Sequence, residues 1–124
     1  MKIQSILFVE DDRYIGEMYV RSLERSAFEV VWVTDGGQAM ELITKNRFDL
    51  VLLDIMVPLT RGNDLVDYIR KNPSPNSASK IIIMTNFEQD SGARSKLQGQ
   101  VDAYLIKAET TPTMLINTIK LLAS

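Results

Sequence analysis

A doubly wound α/β fold, with five parallel strands and helices on both faces of the sheet, is predicted by three observations. Five short apolar runs of strand length recur along the chain. Helical periodicity fills the intervals between them, and the alternation of the two is strict. Such alternation requires crossover connections, which are right-handed and produce a parallel sheet covered on both sides. At 124 residues the chain has the size of one domain, so one fold has to carry the function.

The elements follow in order. The runs ILFV (6–9), VVWV (30–33), LVLL (50–53), IIIM (81–84) and AYLI (103–106) are mostly rich in β-branched or aromatic residues and predict strands. Ile15, Met18, Tyr19 and Leu23 form the apolar stripe of a first helix; Ala39, Met40 and Ile43 that of a second; Leu65, Val66 and Ile69 that of a third; and Leu115, Ile119 and Leu122 that of a fifth. The fourth interval, around Ala93 and Leu97, is weakly amphipathic. Asp35 is placed to cap the second helix, and Thr111 followed by Pro112 reads as an N-cap with proline at the first helical position. The stretch 71–80, KNPSPNSASK, carries two prolines, two asparagines and three serines and predicts an exposed connection. No internal repeat and no output domain is read in these residues, and 1–124 is taken as a single unit.

Composition narrows the chemistry. The 14 basic and 16 acidic residues leave a formal charge of -2, which offers no positive field for nucleic acid or anionic lipid. With no cysteine and no histidine, thiol nucleophiles, thiolate zinc sites and imidazole bases are all excluded, and any metal must be hard and oxygen-ligated. The apolar run after Lys2 stops at Glu10, short of a signal-peptide core or a membrane span. The expected setting is a soluble chain in the cytoplasm.

In an open parallel α/β sheet, ligands gather at the carboxyl ends of the strands. Here the first strand runs into Glu10, Asp11 and Asp12, the third ends at Asp54, the fourth at Thr85 and the fifth at Lys107. Each residue alone is ordinary, since an acid after a strand often caps a helix and a single lysine is usually solvated. Together they conflict: unit charges about 4 Å apart interact by roughly 4 kcal/mol at an effective dielectric of 20, so clustered carboxylates call for a cation. An all-oxygen site favours Mg2+, with Mn2+ possible. A carboxylate can serve as the nucleophile in phosphoryl transfer, with the metal and a lysine stabilising the transferring charge and a hydroxyl binding a phosphoryl oxygen.

ILFVEDD, LVLLDIMVPLTRG, IIIMTN and DAYLIK, in this order and spacing, resemble the response-regulator receiver family of two-component signalling, and the resemblance covers essentially the whole chain. It implies a flavodoxin-like sheet of order 2-1-3-4-5, as in chemotaxis regulators. It implies that Asp54 accepts a phosphoryl group from a histidine kinase or a histidine phosphotransfer protein. Mg2+ would be held by Asp11 directly, by Glu10 through water, by Asp54 and by the Met56 carbonyl, with Pro58 and Gly62 shaping the loop. Thr85 and Lys107 would bind the phosphoryl oxygens. Thr85 with Tyr104 would form a switch to a surface of the fourth helix, fifth strand and fifth helix, for a downstream protein or self-association.

The chain departs from the family pattern at three places. Asn86 stands where a small residue is usual, Ala108 where proline is usual after the lysine, and Gly99 is offset by one, with Gln100 in the glycine's place. A cis bond before a non-proline residue costs about 2.5–4 kcal/mol, so the Lys107–Ala108 peptide is expected to be trans.

Rival functions are weaker. An aspartate-nucleophile phosphatase needs a second acid two residues after the nucleophile, where Met56 stands. A flavodoxin-like cofactor binder needs a hydroxyl- and glycine-rich loop after the first strand, where three acids stand. A receiver-like interaction module acting without phosphorylation would not need all five site residue types. The chain is therefore expected to be a signalling module and not an enzyme.

Overall fold

The computed structural model describes residues 2–72, 74–87 and 89–124; of the predicted connection, Pro73 lies outside the described residues. The described residues form β1 (Ser5–Val9), α1 (Arg13–Arg25), β2 (Glu29–Val33), α2 (Gly36–Lys45), β3 (Leu50–Leu53), α3 (Gly62–Lys71), β4 (Lys80–Thr85), α4 (Ser91–Gln98), β5 (Ala103–Ile106) and α5 (Pro112–Ala123). A short 3-10 turn, Lys107–Glu109, joins β5 to α5. All strand pairs are parallel, and the order is β2-β1-β3-β4-β5. The chain reverses direction across the sheet between β1 and β3, which opens the crevice where ligands bind in such folds.

Two apolar cores lie on the two faces. Leu7, Val9, Val51, Leu53, Ile81 and Ile83 point to one face and meet Ala39, Ile43, Leu65, Val66, Ile69 and Leu97 of α2, α3 and α4. Ile6, Phe8, Leu50, Leu52, Ile82 and Met84 point to the other and meet Tyr19 and Leu23 of α1 and Leu115 and Ile119 of α5. This is why the strands read as unbroken apolar runs: successive side chains face opposite layers, and each layer is covered. Each fully buried Leu or Ile contributes about 1.5–3 kcal/mol relative to exposure. β2 and β5 are less covered than their composition predicts, with Val31 in β2 exposed, because an edge strand has one neighbour instead of two.

The predicted caps are present: Asp35 accepts from Gln38 N–H, and Thr111 accepts from Met114 N–H with proline following. Asp12 likewise caps α1 through Ile15 N–H. The predicted exposed connection needs correction at two residues, since Asn76 and Ser79 are buried. Asn76 Oδ1 accepts from Phe48 N–H at 2.7 Å, and its amide donates to the carbonyls of Ile43 and Asn46 at 2.8 and 2.7 Å. The turn thus closes the end of α2 against the start of β3. Arg70 acts similarly, donating to the carbonyls of Ser77, Ser79 and Gln100 and pairing with Asp102.

Asp49 anchors the amino-terminal end of the sheet. Its Oδ2 accepts from Gln4 and Ser5 N–H at 2.9 and 3.0 Å, and its Oδ1 from Arg47 at 2.8 Å. Burial opposes its charge, but these donors outweigh burial and hold the carboxyl below its ordinary value of 3.8. Asp49→Ala is expected to cost about 2 kcal/mol at neutral pH. Because the folded value is the lower one, the contribution is present above 3.8 and lost as pH falls through the folded value. Urea melts of wild type and variant should therefore converge toward about pH 2. A gap that stays constant with pH would refute this role.

Candidate functional site

β1, β3, β4 and β5 deliver their polar ends to one edge of the sheet. Glu10 follows β1, and its main chain stays in place through two bonds: its N–H donates to Val33 O at 3.0 Å and its carbonyl accepts from Trp32 Nε1 at 2.9 Å. Asp54 follows β3, with its N–H on Val9 O at 3.3 Å. Thr85 closes β4, and Lys107 opens the turn after β5. Three of these side chains are close to fully withdrawn from water: Glu10 is 1% exposed, Thr85 0% and Asp54 7%.

Lys107 is the hub. Its Nζ lies 2.5 Å from Asp54 Oδ2 and 2.8 Å from Glu10 Oε1. Thr85 Oγ1 donates to Asp54 Oδ1, which also accepts from Met56 N–H at 3.1 Å. Thr85 Oγ1 in turn accepts from Phe87 N–H at 3.1 Å. Glu10 Oε2 accepts from Asp12 N–H at 3.0 Å. Glu10 Oε1 is buried and has the Lys107 ammonium as its partner. Burial pushes the Glu10 carboxyl above its ordinary value, with Lys107 and Asp12 N–H pulling the other way. Burial also opposes the charge of Lys107, but Asp54 and Glu10 outweigh it and hold the ammonium above its ordinary value.

The β3–α3 loop beside Asp54 is clamped from two sides. Gly62 N–H donates to Ile55 O at 2.9 Å, and a Cβ on Gly62 would sit 2.4 Å from Asp54 O. Gly36 N–H donates to Pro58 O at 2.8 Å, and a Cβ there would lie 1.8 Å from Thr60 O. Only glycine permits these approaches. Between them Leu59 takes a left-handed conformation, φ 71°, a strained geometry for leucine.

The predicted site residues meet unevenly. Glu10, Asp54, Thr85 and Lys107 form one contact network, whereas the Asp11 side chain is exposed at its rim. Among the described residues, no three acidic side chains converge into a ready-made metal cage. The donor set nevertheless fits a hard cation: it is all oxygen, brings the Glu10 and Asp54 carboxylates to one ammonium, and has Asp11 open to solvent beside it. The Lys107–Ala108 peptide is trans as expected, since the described residues hold no cis bond. Tyr104 is half-buried on β5, with its hydroxyl accepting from Gln89 Nε2 at 3.1 Å and the Arg94 guanidinium 4.7 Å from its ring centre. Gln100, in the place of the usual glycine, ties α4 to α3 through Asp67 at 2.8 Å.

Sequence reasoning missed Trp32, which holds the Glu10 carbonyl. Its only signal was a lone tryptophan near the end of β2, one strand away from the acids.

Comparison with known proteins points to one family. Residues 6–120 match the family model described as the response regulator receiver domain. The response regulator MprA of Mycobacterium sp. (strain KMS) is 34% identical over 102 residues, covering 82% of this chain and 43% of that protein. The chain spans less than half the length of the curated relatives it matches. Among solved structures, a CheY-like receiver domain protein from Methanospirillum hungatei JF-1 is similar at TM-score 0.86 and 27% identity, covering 98% of this chain and 94% of that one. The BeF3-activated receiver domain of Klebsiella pneumoniae RstA is similar at TM-score 0.80 and 30% identity, covering 95% and 97% respectively.

Proposed function

Since the chain belongs to the response regulator receiver domain family of two-component signalling, we propose that Asp54 is its phosphoryl acceptor and that Glu10, Asp11, Thr85 and Lys107 serve that chemistry. The observation that carries this reading is the convergence of a partly buried ammonium and a buried hydroxyl on one carboxylate at the carboxyl edge of the sheet. With no histidine in the chain, the phosphohistidine donor is another molecule, a histidine kinase or a phosphotransfer protein. An oxygen of Asp54 attacks phosphorus, the bond from phosphorus to the donor nitrogen breaks, and an acyl phosphate forms on Asp54. Lys107 and Thr85, which contact the two Asp54 oxygens in the free protein, would pass to the negative oxygens of the phosphoryl group and stabilise them.

Receiver domains typically bind Mg2+ in an acidic pocket. In this chain Asp11, Asp54 and the Met56 carbonyl would hold Mg2+, or Mn2+, with Glu10 acting through water. The ion, when bound, supplies charge neutralisation for the transferring group. Titration calorimetry should find one binding event with Mg2+ that Asp11→Ala weakens by about tenfold or more. Equal affinity in that variant would place the ion elsewhere.

The described residues act, on this reading, as one signalling unit in the cytoplasm, which is not an enzyme in its own right. No helix among them is long and apolar enough to cross a membrane. Response regulators interact with histidine kinases and downstream effectors. The surface of α4, β5 and α5 is the proposed site of partner binding or self-association, with Thr85 and Tyr104 as the relay. Thr85 already donates to Asp54, so phosphorylation would exchange its acceptor for a phosphoryl oxygen, and Tyr104 would have to leave Gln89 and Arg94 to turn inward. Amide spectra of wild type and Thr85→Ala, each with and without beryllofluoride and Mg2+, test the relay. Signals of 86–108 should respond in wild type and far less in the variant, and identical responses would refute it.

A further inference from the structure

Two loops leave the carboxyl edge of the sheet side by side. Asn86 follows Thr85 at the end of β4, and Ala108 follows Lys107 in the turn after β5. The pairing of Thr85 with Ile106 in the β4–β5 register brings these loops alongside each other. Across the gap, Asn86 Oδ1 accepts a hydrogen bond from Ala108 N–H at 2.8 Å. The donor exists because residue 108 is alanine, whereas a proline there would have no N–H to give. The other side of the same turn is held from within the β5–α5 connection. Thr110 N–H donates to Lys107 O at 3.2 Å, Thr110 Oγ1 donates to Ile106 O at 2.7 Å, and Tyr19 hydroxyl donates to Thr110 O at 3.0 Å. These bonds close the turn on itself and fix it to β5 and α1. The Asn86 bond is the side-chain tie between the turn and β4, the strand that carries Thr85.

A lysine has a flexible four-carbon stem, so where its ammonium rests depends on how firmly its main chain is held. Lys107 has to meet two buried carboxylates from different strands at once. A shift of its peptide by a fraction of an ångström would favour one carboxylate over the other. We propose that Asn86 is a positioning residue for phosphoryl transfer to Asp54: through the Ala108 N–H it holds the peptide after Lys107, so that the ammonium stays on Asp54. This rests on the reading that Asp54 is the acceptor and Lys107 its cation.

The test compares initial rates of phosphorylation by a small acyl phosphate donor with excess Mg2+, read as mass gain of the intact protein. Four proteins are needed: wild type, Asn86→Ala, Lys107→Ala and the double variant. Asn86→Ala is expected to slow the reaction at saturating donor by about tenfold, since small misplacements of reacting groups cost factors of ten to a hundred. In the Lys107→Ala background the same substitution should change nothing, because a residue that acts only through Lys107 has nothing left to position. Equal rates for Asn86→Ala and wild type would overturn the proposal. So would an equal slowing in both backgrounds, which would mark a direct effect of Asn86 on donor or phosphoryl group. Should Asn86→Ala fail to fold, Asn86→Asp keeps an acceptor oxygen at the same reach. It should retain the exchange protection of the Ala108 amide and the wild-type resonance of the Lys107 ammonium, and loss of either would overturn the proposal. A wild type that gains no mass would instead refute the acceptor reading itself, and the proposal with it.

Discussion

Asp54→Asn is expected to abolish phosphorylation completely, with no mass gain from either a phosphohistidine donor or a small acyl phosphate. The substitution preserves size and keeps an oxygen able to accept from Thr85 and Met56 N–H, which meet Asp54 Oδ1 in the wild type. What it removes is the anionic oxygen facing the Lys107 ammonium. An amide oxygen is a poor nucleophile, and of the neighbouring acids Glu10 is almost wholly buried, Asp12 is engaged as the cap of α1 and Asp11 is expected to be held by the metal. The variant should remain folded, because the apolar cores on either side of β3 are untouched. Persistent labelling of the folded variant at another residue would show that the acceptor has been misassigned.

Lys107→Ala should have the second largest effect, and it should act on both stability and rate. Lys107 is the cation in contact with Glu10 and Asp54. Its removal leaves two buried carboxylates facing each other and takes from Glu10 Oε1 its ammonium partner. Breaking a buried ion pair from one side typically costs about 3–5 kcal/mol, because the remaining charge is stranded. The rate of phosphorylation should fall by about a hundredfold or more, the usual consequence of losing a group that stabilises developing charge. The stability deficit should also depend on pH in a definite sense. Burial already raises the Glu10 carboxyl above its ordinary value, so the folded protein binds that proton more tightly than the unfolded chain. Loss of Lys107 strengthens this preference. Stability of the variant relative to wild type is therefore recovered as pH falls through the folded value of Glu10, and is lowest at neutral pH. Denaturant melts over the acidic range would show the gap narrowing, and Mg2+ should narrow it at neutral pH. A gap independent of both would mean that the two carboxylates are not coupled through Lys107.

Much of this molecule could be read before its structure. Strand runs such as LVLL and AYLI are local signals, and they coincide with β3 and β5. The caps at Asp35 and Thr111 need only residues three positions away. The site residues were legible for a related reason: a parallel sheet sends every strand's carboxyl end to the same edge, so polar residues that follow apolar runs must gather there. That argument names Glu10, Asp54, Thr85 and Lys107 without measuring any distance between them.

What tertiary structure alone decided is which of those residues touch and what their neighbours do. Local composition marked 71–80 as a turn, but the backbone partners of the Asn76 side chain, at Phe48, Asn46 and Ile43, lie 28 to 33 residues away, so its burial could not be inferred from the turn itself. Equal apolar content did not distinguish the covered strands from β2 and β5, because coverage depends on strand order across the sheet. Asn86 and Ala108 read as two separate departures from a family pattern, yet their side chain and N–H form one hydrogen bond between strands that are adjacent only after folding. Asp11 and Glu10 are neighbours in the chain just beyond β1, yet the fold leaves one exposed and buries the other beside Lys107. The sequence by itself determined the elements, their alternation and the edge at which the chemistry gathers, since these depend on local periodicity. Contacts, burial and charge pairing depended on distances between residues far apart in the chain, and only the packed structure could determine them.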